Sequence, residues 1–294
     1  MVETGPVEDV LARPQKAYTR ELLGAVPSLT PRQGREMDDS TALVDVRGLQ
    51  KTFEMGTFFD QLRGKPARRV HAVSDVSFAL SPGRTLGIVG ESGSGKSTVA
   101  RCLLRLEDPT AGNLFVKGQD IAGLRGEKAL AASRRSVQMI FQDPNRSLNP
   151  RLRIGESLIE GPLNLGEARQ SAMQRAGELL EVVGLPRTSL DRFPHQFSGG
   201  QRQRIAIARA LMMEPDVIVA DEAVSALDVS VQAQVLDLLS EIQERRNLAI
   251  LFITHDLRVA AQICDEVMVM QRGKVIEYGA PRFSHIPRRI IPAP

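Results

Sequence analysis

The sequence predicts an α/β fold: a mostly parallel sheet covered by helices, with a small antiparallel β region beside it. Three patterns lead there. From residue 85 onward, apolar strand-like runs alternate with helical segments, the order that builds parallel sheets. Residues 43–53 and 74–80 read as short strands with β-branched residues and alternating polarity, ahead of that alternation. Residues 154–195 interrupt it, and Ala168–Val183 within them is helical in pattern, with Leu179, Leu180, Val182 and Val183 apolar.

Thr85–Val89 reads Thr-Leu-Gly-Ile-Val, an apolar run suited to a buried parallel strand. Gly90-Glu91-Ser92-Gly93-Ser94-Gly95-Lys96-Ser97 follows, with Thr98 next. Its glycines permit a tight loop whose backbone N–H groups converge on phosphate oxygens. A helix then begins, with Val99, Cys102, Leu103 and Leu106 apolar at helical spacing. Its N-terminus adds a dipole that favours anions. With the full GxxxxGK[ST] pattern between strand and helix, Lys96 is expected to reach β- and γ-phosphates as a point charge. The Ser97 hydroxyl is expected to ligate Mg²⁺.

Three further strands end in polar residues that suit the same chemistry. Val137–Phe141 leads to Gln142, a neutral amide able to touch a metal shell and an attacking water without adding charge. Val217–Ala220 leads to Asp221 and Glu222. Mg²⁺ keeps several waters, so Asp221 can hold it through that shell, and Glu222 can polarise the water as general base. Leu251–Thr254 leads to His255, placed for a γ-phosphate contact. A helix from about Val229 to Arg246 carries Val231, Val235, Leu238, Leu239 and Ile242 on one face, a core-facing stripe. Each polar residue alone also fits an ordinary strand end; together and in this order they point to phosphoryl transfer.

These segments resemble the ATP-binding-cassette ATPases over about residues 43–280. Phe197-Ser198-Gly199-Gly200-Gln201 is similar to that family's signature and is read as opening a helix over Arg202–Met213. The resemblance implies a P-loop NTPase core with a helical subdomain inserted at about 143–213. It also implies an ATP site completed by the signature of a second cassette, be it homodimer, heterodimer or fused half. Ser225-Ala226-Leu227-Asp228 resembles the D-loop, which communicates across that dimer. An aromatic near the end of the first strand stacks on adenine in the family. Phe53 fits, with Phe58, Phe59 and His71 as alternatives and a core role for Phe53 equally open.

Closer matches resemble importers of the oligopeptide/dipeptide type. They are Phe141-Gln142-Asp143-Pro144 with Ser147–Arg151, Arg192–Phe197, Ala223–Ser230, and the long insert Met55–Arg69. Ala223 stands where many cassettes have proline, and Gln196 where glutamate is common; neither position carries charge that hydrolysis needs. The resemblance implies an ATPase, with ATP and Mg²⁺ bound, that energises import of peptides or similar small solutes. Its implied partners are transmembrane permease subunits, met through the helical subdomain, and indirectly an extracytoplasmic solute-binding protein. The implied location is peripheral, on the cytoplasmic face of the inner membrane. A soluble cassette protein of translation or DNA maintenance is the alternative, as is an inactive fragment. Against the soluble reading, no long coiled-coil insert is visible and the 28–42 segment is not strongly basic.

A chain of 294 residues can bury one or two cores. Net charge is only +3, and the Arg63, Lys65, Arg68, Arg69 cluster has little aromatic interleaving, so nucleic acid is not an expected partner. Cys102 and Cys264 fall in apolar patterns with no disulfide or metal framework. Apolar runs stay short of the ~18 residues a membrane-spanning helix needs. The ends repeat each other: Met1-Val2-Glu3-Thr4-Gly5-Pro6 echoes Val275–Ala280. Residues 1–27, with Tyr18–Pro27, resemble the tail of a preceding importer cassette, and 28–42 reads as a linker. The chain is therefore expected to be the second half of a two-cassette protein. Residues 281–294, rich in proline and arginine, read as an atypical, disordered tail.

Overall fold

The computed structural model of the chain describes residues 16, 19–20, 42–55 and 68–280. Apart from those positions, the tail-like segment 1–27, the linker 28–42, the middle of the insert with Phe58 and Phe59, and the tail 281–294 lie outside the described residues.

In chain order the elements are β1 (Val44–Met55), β2 (Arg68–Leu80), β3 (Thr85–Val89), α1 (Lys96–Leu103), β4 (Ala111–Val116) and β5 (Gln119–Asp120). Next come α2 (Glu127–Ser136), β6 (Val137–Ile140), α3 (Pro144–Ser147), α4 (Ile154–Asn164), α5 (Arg169–Val182) and α6 (Gly199–Leu211). The series closes with β7 (Val217–Asp221), α7 (Val229–Arg246), β8 (Ala249–Thr254), α8 (Leu257–Ile263), β9 (Glu266–Gln271) and β10 (Lys274–Gly279). The described residues form two compact units, one of residues 16, 19–20 and 127–250, the other of 42–55, 68–126 and 251–280.

In the second of these units, β1 pairs antiparallel with β2 on one side and β4 on the other, and β5 follows β4. Val44, Val46, Val76, Phe78, Leu80, Leu114 and Val116 alternate into its core. Both first strands outrun their sequence reading. β2 starts at Arg68, six residues before the expected position 74, and pairs Arg69 with Glu54. Arg69, the last residue of the insert, is a cross-strand partner: its Nε donates to Glu54 Oε1 at 3.1 Å.

β3, buried at every residue, runs parallel to β9. β9 turns into antiparallel β10 through Arg272 and Gly273, both at positive φ, the type I′ hairpin that matches strand twist. α1 corrects one expectation. The helix stops at Leu103, Arg105 has φ +53°, and Leu106 lies beyond it, 56% exposed. Val99, Cys102 and Leu103 are the buried stripe.

In the unit built around 127–250, β6 and β7 are parallel, from Val137↔Val217 to Ile140↔Ala220. α5 matches the expected helix to one residue at each end, but Val182 is exposed while Leu179, Leu180 and Val183 are buried. α7 has the expected limits and ends at Asn247 in the left-handed conformation. Its buried face holds Val235, Leu236, Leu238, Leu239 and Ile242, and Val231 is only half-buried. Among the described residues, no helix is long and apolar enough to cross a membrane.

Candidate functional site

The phosphate loop joins β3 to α1. Lys96 is buried, and its Nζ donates to the carbonyls of Gly90 at 2.7 Å and Glu91 at 2.9 Å. The lysine thus straps the loop from inside, with its charge held among backbone groups. Ser94 N–H donates to Glu91 O at 3.1 Å, and Ser94 O accepts from Gly273 N–H at 2.9 Å. A Cβ on Gly95 would stand 2.4 Å from Ala72 O, and one on Gly90 would stand 2.2 Å from Met270 O. The loop is therefore wedged against β2 and β9 with no room for side chains at those points.

Two features fit a polyanion. Gly95 caps α1 without any side-chain bond, which places a helix N-terminus, with its partial positive charge, directly at the loop. Ser94 Oγ is buried with no hydrogen-bond partner, an orphan that costs about 1–3 kcal/mol until something meets it. Ser97 and Thr98 are half-buried, and Glu91, Ser92 and Gly93 form the exposed rim. In the same unit His255 follows β8 as an exposed residue, and Asp256 beside it caps α8 by accepting from Arg258 N–H at 2.8 Å.

The carboxylates sit on the other unit. Asp221 is the buried last residue of β7. Glu222 follows at φ +47°, a left-handed conformation uncommon for a residue with a Cβ. Its carbonyl accepts from Ser225 N–H at 3.1 Å and from Ser225 Oγ at 3.0 Å, which pins the turn. The β6–β7 register explains what faces it. Ile140 pairs with Ala220, so two residues further along each strand Gln142 stands opposite Glu222. Gln142 Nε2 donates to Glu222 Oε2 at 2.9 Å. Two residues that the sequence offered as separate strand ends are thus hydrogen-bonded.

The signature segment corrects a second expectation: its helix starts at Gly199, not Arg202. Ser198 is the N-cap and Gln201 the reciprocal partner. Ser198 Oγ accepts from Gln201 N–H at 3.3 Å, and Gln201 Oε1 accepts from Ser198 N–H at 3.0 Å. The helix therefore absorbs Gly199, Gly200 and Gln201 into its first turn. A Cβ on Gly200 would stand 2.4 Å from Val231 Cγ1 of α7. Asp228 is the N-cap of α7, accepting from Val231 N–H and Ser230 Oγ, each at 3.0 Å. Those bonds, the Val231 amide first, hold its carboxyl below the ordinary aspartate value.

Phe53 lies on β1 and is half-buried, outside the sealed core. His71 is exposed, its Nδ1 3.0 Å from Thr52 Oγ1. Cys102 is buried, and burial pushes its thiol up to about 11, away from nucleophilic or redox chemistry. Sequence reasoning missed Lys51, a lysine on β1 whose ammonium lies 4.6 Å from the Phe53 ring centroid. A charged residue two places before an aromatic in a half-buried strand was the available signal.

The family model for ABC transporters matches residues 73–225. That span holds the phosphate loop, Gln142, the signature, Asp221 and Glu222, while Phe53, Asp228 and His255 fall outside it. The chain is 45% identical over 304 residues to the glutathione import ATP-binding protein GsiA of Salmonella paratyphi A (strain ATCC 9150 / SARB42), covering 96% of this chain and 48% of that protein. It is 45% identical over 307 residues to the protein of the same name in Escherichia coli (strain K12), with the same coverage. The chain thus spans about half the length of these curated relatives. Among solved structures, the dimeric post-hydrolysis state of the ATP-binding cassette MJ0796 bound to ADP and Pi is 28% identical, with TM-score 0.70 over 81% of this chain and 99% of that one. CbiO1 from Clostridium perfringens, part of the ABC transporter complex cbiONQ, is 27% identical, with TM-score 0.70 over 83% and 90% of the two chains.

Proposed function

The chain belongs to the ABC transporter family, and from that premise we propose that it binds and hydrolyses ATP to energise import of peptides or similar small solutes. The observation that carries the reading is the phosphate loop: Lys96 is strapped inside it and Ser94 Oγ is buried without a partner. A loop that leaves a buried hydroxyl without a partner beside a helix N-terminus is suited to receive phosphate oxygens. The solute class rests on the importer-like segments and on relatives named for import of glutathione, itself a short peptide.

In this reading residues 43–280 are the ATPase domain. The loop N–H groups and Lys96 take the β- and γ-phosphates. Ser97, Gln142 and Asp221 would hold Mg²⁺, which when bound supplies neutralisation of phosphate charge. Glu222 accepts the proton of the attacking water, and Gln142, bonded to that carboxylate, orients it. His255 meets the γ-phosphate. Ser198, Gly199, Gly200 and Gln201 face the nucleotide of a second cassette, whether another copy, a different chain or a fused half. The capping box already engages the N–H groups of Ser198 and Gln201, so those of Gly199 and Gly200 are the donors for that phosphate. Transmembrane permease subunits are the membrane partners, and a solute-binding protein acts through them. The chain is then peripheral, on the cytoplasmic face of the inner membrane.

Glu222→Gln tests the assignment. ATP binding should survive while steady-state hydrolysis falls by about a hundredfold or more, the usual worth of a general base, and an ATP-bound dimer should accumulate on a sizing column. Turnover at the wild-type rate would remove Glu222 from the role of base.

A further inference from the structure

Lys51 is held in a way that a solvated strand lysine is not. Its side chain is only 12% exposed. The ammonium lies 3.1 Å from Glu107 Oε2, donates to Asp108 O at 2.9 Å, and stands 4.6 Å from the centroid of the Phe53 ring. A long, rotamer-rich side chain is thus fixed by three partners, while an ordinary ion pair at a surface returns little for that ordering.

The partners trace back to the phosphate loop. Glu107 and Asp108 lie in the turn that follows α1 (Lys96–Leu103). That connection is stiff. Leu106 and Glu107 both donate to Arg101 O, at 2.9 and 3.1 Å. Arg105, its side chain 1% exposed, pairs with Asp108 Oδ1 at 2.7 Å and donates to Leu124 O at 2.9 Å. The segment that starts at the phosphate cradle with α1 therefore runs on, through a hydrogen-bonded turn, to the groups that pin Lys51.

The sheet links the same two places. Lys51 pairs with Val73 and Thr52 with His71, so Ala72 is the extra residue of a β-bulge, a device that re-aims neighbouring side chains. Ala72 O is also the atom against which Gly95 of the phosphate loop rests. Val70, the cross-strand partner of Phe53, lies two residues from that contact, about 7 Å of strand.

We propose that Lys51 is a positioning residue for base recognition: pinned by Glu107 and Asp108, it fixes one face of the half-buried Phe53 ring and so presents the other face to the purine of the bound nucleotide. The inference rests on the ATP-binding reading and on Phe53 as the stacking aromatic. A cation over one face orients the ring through its quadrupole. A ring already oriented loses less freedom when a base stacks on it.

Binding of magnesium ATP and of magnesium tripolyphosphate, which has the phosphates but no base, is measured by calorimetry on the full chain. Lys51→Met should weaken ATP by about three- to tenfold, the range expected for losing one pre-ordered aromatic contact, and leave tripolyphosphate within about twofold. Lys51→Arg, which keeps the cation over the ring, should restore ATP affinity. In a Phe53→Ala background Lys51→Met should add nothing further, as coupled residues do. Equal weakening of both ligands by Lys51→Met would show a role in holding the fold and overturn the proposal. So would normal ATP affinity in Lys51→Met beside weakened affinity in Phe53→Ala, which would leave the adenine assignment standing. Unchanged ATP affinity in Phe53→Ala would remove the stacking aromatic and the proposal with it. A wild-type chain that binds ATP no more tightly than tripolyphosphate would overturn base recognition while sparing the phosphate loop.

Discussion

Gly93 and Gly95 stand two residues apart in one loop and answer to different constraints. Both have positive φ, +81° and +105°. A Cβ on Gly93 would meet nothing within 4 Å, whereas one on Gly95 would meet a backbone carbonyl at 2.4 Å. Gly93→Ala should therefore cost only the left-handed strain, about 1–2 kcal/mol. Gly95→Ala carries that strain and a clash that no side-chain rotation relieves, because the obstacle is main chain of β2. It should cost about 3 kcal/mol or more and abolish ATP binding, since the loop must move off the sheet. Urea unfolding of the two purified variants, with ATP titration alongside, checks the ordering; equal losses would mean the loop is not wedged where it is seen. The sequence pattern names all these glycines alike. It does not distinguish the glycine needed for backbone conformation from the one needed for close approach, because that difference lies in a strand many residues away. Glu222 is similar. Its type and place after a buried strand are legible, but its left-handed backbone and its bond to Gln142 depend on strand register.

Helices and strands show the same division between local and distant causes. The limits of β3 and α7 were readable because apolar runs and periodic stripes set them. The start of α6 was missed because its first turn is built from small and polar residues, with the signal residing in the reciprocal Ser198–Gln201 bonds. The start of β2 was missed because charged residues enter a strand when a partner of opposite charge faces them. The α6 start has a consequence for its two glycines. At Gly199 an added Cβ would meet only Leu227 Cδ2 at 3.9 Å, ordinary contact, but at Gly200 it would stand 2.4 Å from Val231 Cγ1. Gly200 is thus the point where α7 closes on α6 within one chain. Gly200→Ala should destabilise the nucleotide-free protein by about 1–3 kcal/mol, as overpacking does, and Gly199→Ala should stay within about 0.5 kcal/mol of wild type. Circular-dichroism melts without nucleotide decide it. A neutral Gly200→Ala would mean that α6 and α7 do not pack tightly at this glycine.

Across the chain, the sequence motifs describe one reaction, yet the phosphate loop and His255 belong to one compact unit and Gln142, Asp221, Glu222 and the signature to another. Periodicity could not announce that division, which falls at residues 126–127 and 250–251, inside β8 at the second point. The helical stretch expected at 143–213 lies within the unit that also holds β6, β7 and α7. If ATP hydrolysis needs groups from both units and a signature from a second cassette, ligand binding and association must be thermodynamically linked. Anything that binds only the folded, associated state stabilises it by mass action, about 2.7 kcal/mol at a ligand concentration a hundred times its dissociation constant. In the Glu222→Gln variant, where ATP persists, the melting midpoint in magnesium ATP should therefore rise with protein concentration. Without nucleotide it should not. ATP-dependent stabilisation that is the same at all protein concentrations would mean that one cassette holds its nucleotide alone. The signature of this chain would then need another role, because its helix start, capped and packed against α7, would have no phosphate to meet.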